Sequence, residues 1–84
     1  MKITGVAILI GKTVWALPAP KRHHDVIRMV AADLKLMKPV KGIQGFVSDS
    51  GEFLDRVQAR ALVVSNGQCA EPENSRELFS EDLW

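Results

Sequence analysis

The stretch "KITGVAILIGKTVWALP", residues 2–18, constrains this chain more than any other. It sets a run of β-branched and apolar residues on either side of a Gly-Lys pair. Such side chains fit a pleated sheet and lose rotamer freedom in a helix. "KITGVAILI" therefore predicts a strand over 2–10, apolar enough to be buried on both faces. "GK" predicts a turn and "TVWAL" a second strand, so the chain opens on a hairpin. Pro18 and Pro20 end it in an extended segment. The apolar run is too short to span a bilayer and lacks a cleavage-type ending, so the expectation is a soluble, cytoplasmic protein with no membrane partner.

Beyond the prolines the period changes. Val26, Ile27, Met29, Val30 and Leu34 fall at helical spacing, which predicts a helix from about His24 to Leu36 with one buried face. Asp25 suits its first turn, Pro39 stops it, and "KPVKG" reads as a loop. "IQGFVSDSGEFLD" predicts a second hairpin: Ile43–Val47 as one arm, "DSG" as the turn, Phe53–Leu54 as the other arm. Asp55 begins a second helix, and Gln58 three residues later completes a capping-box pair. That helix is predicted to run to about Ser65, with Val57, Ala61 and Val64 on one face and "NG" at 66–67 as its stop. A polar stretch follows, then "LFSEDLW", whose Leu78, Phe79, Leu83 and Trp84 are suited to pack on the body or on a neighbouring subunit. The expected fold class is α+β: one domain over 1–84, a small antiparallel sheet of two hairpins with two helices. A chain of 84 residues buries a limited core, and its apolar runs exceed what a lone domain covers, so a homo-oligomer is expected.

Charge narrows the partners. The formal net charge is +1, from 11 basic and 10 acidic residues, which argues against general DNA or RNA binding. The signs are unevenly placed: residues 21–60 hold most of the positive charge, and the tail from Glu71 to Asp82 is acidic. A local basic cleft is compatible with a near-neutral sum. Cys69 is the lone cysteine, read as a free thiol, which excludes an internal disulfide and a Cys-based zinc site.

Lys21, Arg22, His23 and His24 stand in a row where the first helix begins. A helix start already carries partial positive charge and spare N–H groups, so a helix built only for stability would place acids there. One reading is a phosphate site, with N–H groups and a guanidinium converging on an anion. The other is a solvated basic loop. A metal on the His pair is not expected, because adjacent histidines diverge and no third His or second Cys completes a set. His23 or His24 as a general base is conceivable, but no activated Ser or Cys is apparent, and a core or capping histidine is the preferred alternative. Arg56 and Arg60 repeat the oddity in the second helix: like charges one turn apart either sit on a wet surface or hold an anion between them. Phe46, after Gly45 in a strand, is either a platform for a base or simply core. Neither GxGxxG nor GxxxxGK[ST] occurs. These residues point to a small phosphate-bearing ligand with an aromatic base.

The order "RHHD", "QGF", "FLDR", "NGQ" and "LFSEDLW" resembles a group of small phage proteins, the first Thoeris anti-defence family, over about Pro18 to Trp84 with a gap in the tail. The resemblance implies a non-catalytic sponge: a small oligomeric α+β protein, dimer to hexamer, that sequesters a cyclic ADP-ribose-type immune signal, and at separate sites cyclic oligonucleotides, in the cytoplasm of the infected bacterium. It needs no cofactor. It puts the pocket arginine on Arg22, the base-stacking aromatic on Phe46 and the polar residue before the second helix on Asp55, followed by Arg56. A later arginine corresponds to Arg76. The family more often has Asn where Asp55 stands, and a carboxylate repels pyrophosphate unless it takes a ribose hydroxyl or caps the helix. Two other readings remain. One is a nucleotide-cleaving enzyme with His23 or His24 as base and Asp55 or Glu52 as partner. The other is a module that blocks a host protein through its apolar strands and tail.

Overall fold

The first hairpin forms where the sequence puts it. In a computed structural model that describes residues 1–35 and 41–84, β1 (Ile3–Ile10) and β2 (Thr13–Pro18) pair antiparallel from Gly5↔Pro18 to Ile10↔Thr13. Gly11 turns the chain at φ 60°, a region glycine enters without steric cost. The second hairpin is β3 (Ile43–Ser48) and β4 (Phe53–Asp55). β3 pairs with β1, so the two hairpins form one antiparallel sheet in the order β2-β1-β3-β4. A register shift between Ile3 and Gly5 lets Ile3 and Val6, three residues apart, both enter the core.

Two helices complete the expected α+β fold. α1 (His23–Leu34) packs on β1 and β2, and α2 (Arg56–Asn66) on β3 and β4. Both send side chains into one core with Val6, Ile8 and Phe46: Val26 and Val30 from α1, Ala59 and Val63 from α2, Leu78 from the tail. The helices therefore share one face of the sheet. β1 is not sandwiched between layers, as its composition allows, but covered by helices on one face only.

Two boundaries differ from expectation. α1 starts at His23 and ends at Leu34, where Lys35 takes a left-handed conformation (φ 52°) and its N–H donates to the Ala31 carbonyl. The expected stop at Pro39 lies outside the described residues. α2 is rotated from the expected face: Val57 and Val64 are 54 % and 41 % exposed and Ala61 is exposed, while Ala59 and Val63 are buried. The rotation is set where the helix begins. β4 runs into α2 without a loop, Leu54 packs against the core, and the Leu78 N–H donates to the Arg56 carbonyl at 3.0 Å.

The "NGQ" stop does more than end α2. Gly67 takes φ 78°. The Asn66 amide donates to the Met1 carbonyl (2.9 Å), and Gln68 pairs with both main-chain groups of Ile3 (2.9 and 2.8 Å). A side-chain amide thus serves Ile3 as a strand would, and fastens the end of α2 to the start of β1.

Candidate functional site

Three residues of the basic row, Lys21, Arg22 and His23, find partners far along the chain. Arg22 is the N-cap of α1. Its N–H donates to the Asp25 carboxylate at 2.8 Å, but its own side chain is no acceptor, so the cap is one-sided. That main-chain bond, at a positive helix end, holds the Asp25 carboxyl below its ordinary pKa. The guanidinium of Arg22 is left to turn outward. It donates to Ser80 Oγ (3.2 Å) and lies 4.0 Å from Glu81, both in the short 3-10 turn Ser80–Asp82 of the tail.

Arg56, the first residue of α2, lies under the same tail. Its Nη2 donates to Gln44 on β3 at 2.7 Å, and its guanidinium stacks over the Phe79 ring, 4.8 Å from the centroid. Its Nε is buried without a hydrogen-bond partner among the described residues. A buried donor left unpaired costs about 1–3 kcal/mol, more when it is charged. Two guanidiniums from two helix starts thus meet the consecutive tail residues Phe79 and Ser80. The tail is held at both ends, by buried Leu78 and by Trp84, whose Nε1 donates to the Lys21 carbonyl at 2.8 Å. Asp82 accepts from the Phe79 N–H at 3.0 Å and closes the turn.

His23 sits behind this pair, 8 % exposed. Its Nε2–H donates to the Gly45 carbonyl at 2.7 Å, and its ring meets Phe46 edge-on (5.2 Å, 85°). Burial, opposed by the Gly45 bond and aided by the Arg56 charge, pushes its pKa down. His23 ties α1 to β3 and turns no free Nε2 toward a ligand. His24 is the exposed member of the pair, 3.5 Å from Asp25.

The other expected site residues separate. Phe46 is fully buried at the centre of the core, so its face is closed to a base. The aromatic beside the arginines is Phe79. Asp55 caps α2: its Oδ1 accepts from the Gln58 N–H (2.8 Å) and Gln58 Oε1 accepts from the Asp55 N–H (3.0 Å), the reciprocal box expected. Arg76 is exposed, and among the described residues its main-chain N–H, not its guanidinium, is bound to Asn74 (2.8 Å); Arg60 instead reaches the Asn74 carbonyl (2.7 Å). Gln44, Phe79 and Ser80 are residues the sequence reading missed. Their signal was present only as "QGF" and "LFSEDLW", motifs without an assigned partner. An open cleft of about 430 Å³ borders the cluster, lined by Ile43, Gln44, Asp55, Arg56, Val57 and Glu77. That volume is in the range of small-molecule sites. Among the described residues no group of three or more His, Cys, Asp or Glu could hold a metal.

The fold and the cluster define a two-layer α+β domain with paired arginines under its own tail. The chain belongs to the phage T4 y16D protein family, whose profile matches residues 2–84. No curated protein and no solved structure matches it. It is a phage family protein in which, among the described residues, no helix is long and apolar enough to cross a membrane.

Proposed function

We propose that this protein is a non-catalytic sponge that captures a cyclic nucleotide, of the cyclic ADP-ribose type or a cyclic oligonucleotide, in the cytoplasm of the infected host. The carrying observation is the buried, unpartnered Nε of Arg56 beside a cleft of ligand size. A phosphate oxygen supplies the acceptor that this donor lacks, and Arg22 offers a second guanidinium on the neighbouring tail residue. Phe79, already against Arg56, is the surface on which a base stacks. The Glu77 carboxylate on the cleft wall suits a ribose hydroxyl. Binding without turnover is favoured because His23 Nε2 is committed to Gly45 and the Asp55 carboxylate to its helix cap.

The test is the melting temperature of the full chain with cyclic ADP-ribose isomers and with cyclic di- and trinucleotides, followed by chemical analysis of what heating releases. One ligand should raise the transition and return intact. Arg22→Ala and Arg56→Ala should lose the shift while keeping a cooperative melt. No shift with any probe defeats the proposal, and an altered ligand turns it into the enzyme reading.

A further inference from the structure

Arg56 is held by partners that carry no charge. Its Nη2 donates to Gln44 Oε1 at 2.7 Å, and its guanidinium lies on the Phe79 ring. Among the described residues, which hold every Asp and Glu of the chain, no carboxylate comes within 4.0 Å of it. Arg22 differs, with Glu81 at 4.0 Å. A guanidinium with a buried Nε is ordinarily paired with an acid, because taking a charge out of water without a counter-charge is costly. The neutral acceptor is placed by the sheet, not by the reach of a long side chain. β3 and β4 pair at Gly45↔Asp55, and one step further on the same register sets Arg56 opposite Gln44. Gln44 alternates with Phe46 and pairs with Ile8, both buried in the core, so it stands at the end of a core-facing row. Packing alone favours an apolar residue there. Holding Arg56 alone favours Glu, which has the same length and offers a charged acceptor. Gln does neither, and it also lines the cleft.

We infer that Gln44 is a positioning residue for an anion: it fixes the direction of the Arg56 guanidinium and, being neutral, leaves that charge whole for a phosphate group entering from the cleft. Phe79 supports the cation in the same way, through a ring face that attracts charge without cancelling it. Glu at position 44 would hold the arginine equally well and neutralise it. This role rests on the phosphate part of the function proposed above, and not on which nucleotide carries the phosphate.

Inorganic pyrophosphate is the probe, read as the melting temperature of the full chain against chloride at equal ionic strength. The parent's midpoint should rise with pyrophosphate. Gln44→Glu should melt no lower than the parent in chloride, yet need about tenfold more pyrophosphate, or still more, for the same rise. Gln44→Met, which keeps the length and removes the oxygen, should lower both the midpoint and the response. Val64→Glu adds the same charge at an exposed position of α2 and should leave the response unchanged. A parent that does not respond overturns the inference. So does a Gln44→Glu chain that responds like the parent or melts as low as Gln44→Met, and so does an equal loss of response in Val64→Glu. A parent that responds to pyrophosphate but to no cyclic nucleotide, with Gln44→Glu silent, defeats the sponge and upholds the role of Gln44. Capture of a cyclic nucleotide by parent and Gln44→Glu alike does the reverse.

Discussion

His23 shows how one side chain links burial to solution behaviour. Its pKa is lowered in the folded state by desolvation, so the unfolded chain binds the extra proton more readily. The stability that follows is complete above the unfolded value of about 6.5 and is lost as pH falls below it toward the lowered folded value. The parent should therefore melt lower at pH 5 than at pH 7. His23→Gln should flatten that slope, measured as melting temperature against pH. Asp25 acts in a separate window: its lowered carboxyl weakens the fold only on further acidification, near and below its ordinary value. Gly45 has no room for a side chain. A Cβ there meets the Leu54 carbonyl oxygen, which is backbone and cannot swing aside, as well as the Phe53 ring. Gly45→Ala should cost about 1–3 kcal/mol, read from chemical denaturation.

At the level of elements, local chemistry decides where each segment starts and long-range contacts decide how it turns. Asp55 and Gln58 cap α2 reciprocally, and this was visible in the sequence because the four residues carry the whole interaction. Asp55→Ala should lower stability by about 1 kcal/mol, a fall of roughly 4–8 °C in the thermal midpoint of a domain this size. The face that α2 buries was not visible. Val57, Ala61 and Val64 have helical spacing as good as that of Ala59, Leu62 and Val63. Periodicity ranks faces by apolar content, and here the choice rests on the direct β4-to-α2 junction and on the tail strapped over Arg56. The first hairpin gave no such ambiguity, since a two-residue turn between apolar strands admits one register.

The whole molecule is closed by its last seven residues. Leu78 is fully buried, Leu83 and Trp84 pack against the core, and Phe79 and Ser80 meet the two arginines. Leu78→Ala should cost about 2–5 kcal/mol, the range for truncating a buried leucine. Phe79→Ala should behave differently: a smaller loss of stability, with loss of the ligand-induced rise in melting temperature. Equal binding by Phe79→Ala and the parent would remove Phe79 from the site. The tail also explains why the basic row survives at a helix start, where it is locally unfavourable. Arg22 faces Ser80 and Glu81, and the Lys21 carbonyl holds Trp84, so the row is the seat of the tail as well as the proposed anion site.

By itself the sequence determined the two hairpins, the helices between and after them, the Asp55 cap and the left-handed stop at Gly67. Each of these rests on residues within a few positions of one another, where propensity, turn chemistry and capping act directly. Only the tertiary structure decided that Phe46 is core while Phe79 lies against Arg56, that His23 is a buried tie, and that Arg22 and Arg56 share a tail. Those depend on partners 22 to 58 residues away. Whether a ring is buried or exposed is a property of what the chain folds over it, and no local pattern carries that information.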